Sequence, residues 1–281
     1  MRRKENKNTS LTAITGIWYV SGVKKILIII AFFLFSGEIF AFDLSGLQPV
    51  APDGVFSTFS SESLPKNKAA IELSLERSSE PDFFRVQLRG AYGLSDQHEF
   101  IITVPYVYDY LGSVDGIEDV ALGFKHRFYD EGKYGPSLAY IVTASLPTGH
   151  DRFTSGGRTG LGLILSKRLG PFRGNFNVFF VQPGKGSLQR EMLFASGIEF
   201  SATHDSDILA EFLARKVHFS KEYDQLEARF GYRFKTSDFI YTTVGVGADF
   251  KARSPEYRLM FSVSFTNVKG KKKVKKIYEE E

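Results

Sequence analysis

The side chains best equipped for chemistry in this sequence are ionic and widely spread: Glu72, Glu76, Arg85, Arg89, Lys125, Arg127, Arg173, Glu199, Glu211, Arg215, Glu227, Arg229, Arg233 and Arg258. Most sit in a run where polar and apolar residues alternate, on the polar face of that run. Carboxylates and guanidinium groups facing one another have two uses. They can line a constriction that selects solutes, or they can pair across neighbouring strands and fill the space between them. Neither use is catalytic. The one nucleophile-like arrangement is His218-Phe219-Ser220, where a serine would attack an ester while histidine takes its proton. The triplet falls in a connection and no nearby asparagine orients the histidine, so no catalytic residue is assigned. His98, His126, His150 and His204 show no metal-ligand spacing, and there are no cysteines. Thiolate metal sites, disulfides and cysteine nucleophiles are therefore excluded. "GHDRFTSGGRTG" (Gly149 to Gly160) is glycine-rich, but it lacks phosphate-loop spacing and leads into no helix. It reads as a long loop and a candidate gate. No cofactor, no metal and no enzyme activity is expected.

The elements that must position the charges repeat one theme. Twelve runs alternate apolar with polar or small residues, near 68–77, 83–92, 98–108, 118–128, 136–146, 159–168, 172–182, 191–202, 207–215, 224–234, 239–249 and 256–265. Ile71, Leu73 and Leu75 oppose Glu72, Ser74 and Glu76, and Phe230, Tyr232 and Phe234 oppose Arg229 and Arg233. Period two over such lengths means strands with one apolar face. In a secreted β-sandwich or lipocalin-like barrel that face would be the core. In a membrane barrel it meets lipid, and the arginines line the interior.

Three features favour lipid. The runs match the roughly 9–11 residues of a tilted membrane-crossing strand better than the roughly 5–6 of a soluble one. Their number is even, as closure without a free edge requires in bacterial barrels. The connections alternate in length, with outward loops at 78–82, 109–117, 147–158, 183–190, 216–223 and 250–255 and shorter inward turns at 93–97, 130–135, 169–171, 203–206 and 235–238. Aromatics gather near strand ends, as interfacial girdles would place them: Tyr106, Tyr108, Tyr110, Phe128, Tyr129, Phe179, Phe180, Phe239, Tyr241 and Phe265. Pro105 cannot donate to a ladder, so a bulge or an early strand end is expected there. In "FIYTTVGVGADF" both faces are weakly apolar, and its orientation stays open.

Export is written at the N-terminus. Lys24 and Lys25 precede "ILIIIAFFLF" and then "SGEIFA", ending at Ala41. That order is a signal peptide over residues 1–41, with translation alternatively starting at residue 23. The ten-residue apolar run is too short for the roughly 20 residues of a spanning helix. Removing residues 1–41, with six Lys/Arg and two Asp/Glu, takes the balance from 36 against 32 to 30 against 30. The last thirteen residues hold six lysines and three glutamates, leaving 42–268 at 24 against 27. The body thus lacks the basic patch that nucleic acid demands, and nucleic acid is rejected as a partner. Residues 42–67 are rich in Pro, Gly and Ser yet carry Leu47, Val50, Val55, Phe56 and Phe59. Two readings stand: a lumen plug, or a periplasmic extension. The barrel is expected over 68–266, followed by a basic then acidic periplasmic tail at 267–281. The tail is either solvated or in touch with anionic headgroups.

Several stretches carry a family likeness: "LPKNKAAIELSLE" (Leu64 to Glu76), "GLSDQHEFIITVPY" (Gly93 to Tyr106), "DGIEDVALGFKHRF" (Asp115 to Phe128), "GPSLAYIVTASLPTG" (Gly135 to Gly149) and "LGLILSKRLGPF" (Leu161 to Phe172). In order, they resemble the outer-membrane barrels of the meta-pathway phenol-degradation transporter type. They equally resemble a related group of uncharacterised outer-membrane proteins whose mature chains open much like "LSGLQPVAPDG" here. The resemblance spans most of residues 44 to 172. It implies a Gram-negative outer-membrane β-barrel, with outer-membrane lipid and the barrel assembly machinery as partners and passive passage of small hydrophobic or aromatic molecules as the role. One departure is the chain end, where "TNVKGKKKVKKIYEEE" follows the terminal aromatic Phe265. The competing class is a closed structural or adhesive barrel acting through its loops. A third, weaker one is a lipid hydrolase, since His218-x-Ser220 resembles the order in an outer-membrane phospholipase.

Overall fold

The computed structural model describes residues 46–79, 82–110, 112–217, 225–250 and 256–268. The chain is all-β. A small hairpin comes first, β1 (Gly54–Val55) with β2 (Thr58–Phe59). The barrel strands are β3 (Ala69–Ser79), β4 (Asp82–Gly93), β5 (His98–Tyr110), β7 (Ala121–Tyr129), β8 (Ser137–Ser145), β9 (Arg158–Leu169), β10 (Phe172–Pro183), β11 (Glu191–Ser201), β12 (Ser206–Val217), β13 (Gln225–Ser237), β14 (Ile240–Asp249) and β15 (Glu256–Thr266). The short β6 (Val114–Ile117) pairs with the outer end of β5. Every neighbour is antiparallel, β15 pairs with β3, and β4 pairs with β5, so the twelve long strands close on themselves. Closure leaves no unpaired backbone edge for hydrocarbon to desolvate.

Alternation along each strand decides the two faces. On β3, Ile71, Leu73 and Leu75 are exposed while Glu72 and Ser74 are buried. On β13, Phe230 is 58% exposed and Arg233 3%. The aromatic face therefore points out of the barrel and the arginines into it. In water such a continuous apolar exterior would be a severe liability; against acyl chains it costs nothing. A slip of one residue would reverse every strand and set arginines in lipid at about 2–4 kcal/mol each near the midplane.

Some expectations change. The ladder from β5 to β7 ends at Thr103 opposite Ala121, and pairing resumes at Tyr106 opposite Ile117. Residues 118–120, expected as the start of the fourth strand, bulge here instead, facing Pro105. β5 itself runs on to Tyr110 and keeps its register with β4 through Gln87 opposite Pro105, so it does not end early. The connection expected at 109–117 is taken up at its two ends by β5, to Tyr110, and by β6, and the one at 78–82 shrinks because β3 and β4 reach Ser79 and Asp82. β14 acquires an orientation: Tyr241, Thr243 and Asp249 are buried, and Val244 and Val246 face out. Tyr241 and Phe179 are thus lumen-facing and are not girdle residues, because each sits one position from the outward row. The leader 1–41, the His218-x-Ser220 triplet and the tail beyond 268 lie outside the described residues.

Candidate functional site

Strand register brings the interior charges into direct opposition. Glu72 faces Arg89 across β3 and β4 with 3.2 Å between charged atoms. Glu99 faces Lys125 across β5 and β7 at 3.3 Å. Glu211 faces Arg229 across β12 and β13 at 3.4 Å. Arg85 sits opposite Glu76 and reaches past it to Glu118 at 2.9 Å. Arg233 meets Glu199 at 3.3 Å, and Arg258 meets Glu76 at 2.8 Å and Glu227 at 3.7 Å. Arg215 is buried on β12. Arg127 differs from the rest: it is half-buried at the inward end of β7, where it pairs with Asp130 at 2.9 Å.

Residues 46–66 run along this inner wall, and wall side chains grip their main chain. Glu72 accepts from the Ala51 amide at 2.8 Å, and Glu99 from the Leu64 amide at 2.8 Å. Glu211 Oε2 accepts from the Ser57 and Thr58 amides and the Thr58 hydroxyl at 2.9, 2.7 and 2.7 Å. Cations take the carbonyls: Arg89 donates to Pro49, Arg233 to Pro52 and Gly54, and Lys125 to Ser60 and Glu62. Arg173 holds the Glu62 carboxylate at 3.1 Å. Asn177 clamps Phe59 from both sides, its Oδ1 accepting from the amide at 2.6 Å and its Nδ2 donating to the carbonyl at 2.9 Å.

Part of the wall is apolar on the inside, which the sequence reading missed. Ile101, Ile141, Ile164, Phe179, Leu193 and Leu213 are buried in one cluster with Val50, Phe59 and Leu64 of the segment. The register sets Ala139, Ile164, Asn177, Ala195 and Leu213 in one row across β8 to β12, and Ile141, Gly162, Phe179 and Leu193 in the next. The available signal was the doublets and triplets that break alternation, such as Tyr140-Ile141-Val142 and Leu163-Ile164-Leu165, because consecutive apolar residues mean both faces are dry. Inward glycines complete the fit. A methyl on Gly123 would strike Leu47 at 2.0 Å, and one on Gly197 would crowd Val55 and Thr58 at 3.0 and 3.1 Å. Gly231 and Gly245 leave room for the Phe56 ring, 2.6 Å from either added methyl. Glycine inside a strand marks such close approach.

At the outer end the loop 146–157 folds over the mouth. Phe153 is buried against Phe83 and Val107, with the Tyr110 ring edge-on to it at 5.6 Å. Asp119 anchors the loop, accepting from the Ser155 amide and hydroxyl at 2.8 and 2.7 Å and from the Gly149 amide at 3.0 Å. Burial alone would raise this carboxyl, but hydrogen bonds from Thr154, Ser155 and Gly149 outweigh it and hold the pKa below the ordinary value.

Among the described residues no cluster of three or more His, Asp or Glu suited to a cation occurs. His98 and His126 stack at 4.3 Å on adjacent strands, bonded to Ser95 and Tyr140. Between the segment and β3, β4 and β13 to β15 lies a cavity of about 40 Å³, room for a few water molecules.

No family model and no curated protein matches the chain. Solved structures do. An outer-membrane channel from Pseudomonas putida F1 is 13% identical, with a TM-score of 0.56 over 73% of this chain and 97% of that one. The NanC porin is 9% identical, with a TM-score of 0.56 over 69% of this chain and 98% of that one. The KdgM porin in complex with disordered oligogalacturonate is 10% identical, with a TM-score of 0.53 over 70% and 98%. At such identities the likeness is one of fold. Together with the apolar exterior it makes this chain an outer-membrane β-barrel.

Proposed function

We propose that the barrel is a gated conduit for passive passage of small hydrophobic or aromatic molecules, and that residues 46–66 form its plug. The observation that carries this is the apolar strip Ile101, Ile141, Ile164, Phe179, Leu193 and Leu213 inside a lumen that is otherwise ionic. A barrel that only needed filling could use paired charges all round. An apolar track offers a low-polarity path to a greasy solute once the segment leaves. The likeness of residues 44 to 172 to phenol-degradation transporters points the same way. The KdgM porin forms a complex with oligogalacturonate, but here the wall cations Arg85, Arg89, Lys125, Arg229, Arg233 and Arg258 each meet a carboxylate, so a surplus of positive charge for such a polyanion is not offered. The ion pairs also favour a second reading, a closed structural barrel that acts through its loops. Deleting residues 46–60 separates the two. The conduit reading expects discrete single-channel openings in planar bilayers and faster entry of a small aromatic dye into liposomes. Unchanged conductance together with unchanged dye entry would leave the closed barrel standing.

A further inference from the structure

The cavity behind the β1–β2 hairpin has features that packing alone does not require. Gln87 and Arg89, at 2% and 7% exposure, both line it. Gln87 Nε2 and Arg89 Nε find no acceptor among the described residues, while Gln87 Oε1 is taken by the Ser74 hydroxyl at 3.3 Å. Buried donors without acceptors call for an explanation, and these two share one cavity. Phe56 lines the same cavity. Its φ of 43° is left-handed, which a bulky residue adopts at a cost. The ring lies over the bare backbone of Gly231 and Gly245, beside the Met260 methyl, which approaches the same Gly245 position to 3.3 Å. A strained aromatic on a glycine floor, lining one cavity with orphaned donors, has the form of a stopper in a binding site.

We propose that the niche of Phe56 is a solute site, and that Phe56 occupies it in the plugged state. The site takes a single aromatic ring carrying an acceptor oxygen: the ring replaces the phenyl over Gly231 and Gly245 against Met260, and the oxygen accepts from Gln87 Nε2 and Arg89 Nε. This rests on the conduit reading for its purpose but not for its chemistry. A solute entering must displace Phe56, so its binding favours the unplugged conformation, and the occupied fraction of the niche lowers apparent affinity in proportion.

The test uses the mature barrel in detergent micelles, with 3-fluorobenzoate and fluorobenzene as probes followed by fluorine NMR against protein-free micelles. Phe56→Ala is expected to bind 3-fluorobenzoate about tenfold more tightly than the parent, because it empties the niche. Gln87→Leu in the Phe56→Ala background is expected to lose about tenfold for 3-fluorobenzoate and nothing for fluorobenzene, the mark of a lost hydrogen bond. Heat-modifiability on gels confirms that each variant is a folded barrel. Folded Phe56→Ala binding no better than the parent, or Gln87→Leu leaving both probes unchanged, overturns the site. Flux of the same fluorobenzoate into liposomes keeps the two readings apart. Saturable binding without flux supports the site and removes the conduit. Flux without saturable binding keeps the conduit and removes the site.

Discussion

Phe59→Ala examines whether the segment is held chiefly by its apolar contacts with the wall. The side chain is 1% exposed, lies 5.8 Å from the Phe179 ring between centroids, and belongs to the cluster with Ile141 and Ile164. Truncating a buried phenylalanine costs about 3–5 kcal/mol, including roughly 1 kcal/mol for the ring pair. The segment's hairpin is a sheet separate from the barrel's closed ladder, so the loss is expected to fall on docking. Taking about 3 kcal/mol, and a factor of ten for each 1.4 kcal/mol, the undocked population rises on the order of a hundredfold. The chain has no cysteine, so a single reporter is unambiguous. Val55, fully buried on the hairpin, becomes Val55→Cys. Labelling by a membrane-impermeant maleimide follows the open population when reclosing is fast. The expectation is labelling on the order of a hundredfold faster in Phe59→Ala, and no change in Leu73→Ala on the outer face. Equal rates in a folded Phe59→Ala barrel would refute the reasoning, for the segment would then be held by its main-chain bonds or would not open at all.

Further outcomes follow from the buried charges, with an exposed pair as the contrast. Asp119 holds the outer loop as a carboxylate and its folded pKa is depressed. That contribution is full above the unfolded value of about 3.9 and fades as pH falls through the lower folded value. Loop cleavage by pepsin should therefore rise steeply toward the acid end of its range, and at neutral pH Asp119→Asn should make the loop several-fold more sensitive to a neutral protease. Glu118→Gln removes the nearer of two carboxylates around Arg85, whose side chain is 1% exposed, leaving Glu76 at 3.7 Å, and should cost about 1–3 kcal/mol in urea unfolding of the detergent-solubilised barrel. Asp82→Asn, in the exposed pair with Arg77 at 3.7 Å, should change stability by less than about 1 kcal/mol.

The wall was legible in the sequence because lipid imposes a strict rule. Where one face must be apolar, as at Phe230-x-Tyr232-x-Phe234, period two names both the strand and its inside. The interior obeys no such rule. Ile101, Ile164 and Leu213 face inward although they are apolar, because the segment covers them. Pattern alone cannot say that a Pro- and Gly-rich stretch distant in sequence supplies that cover. The same holds for Phe56. Its niche depends on Gly231 and Gly245 lying side by side across β13 and β14, a juxtaposition fixed by register and invisible in either strand. Charge pairs such as Glu72 with Arg89 fall between the two cases. Each member could be assigned to the inner face from its own strand, but the partner required the ladder.

Energetics also say which part of the lumen can move. The strands are locked by continuous antiparallel ladders, and separating any pair exposes backbone groups to hydrocarbon at several kcal/mol each. The segment has no ladder to the wall. Its strand pairing is β1 with β2, and three of the carboxylates that grip it keep a wall partner when it leaves, Glu72 with Arg89, Glu99 with Lys125 and Glu211 with Arg229, whereas Asn177 and Arg173 give up their bonds to Phe59 and Glu62. Water entering the lumen then satisfies the freed amides and carbonyls, so the net cost per bond is only about 1 kcal/mol. What remains to hold the segment is burial of Val50, Phe59 and Leu64 on the apolar strip, together with the Asn177 clamp on Phe59 and the Arg173–Glu62 pair. An apolar solute competes for that same surface, whereas an ion or a sugar does not. On the proposed conduit reading, the contacts that seat the segment are thus the ones an apolar solute is best able to replace.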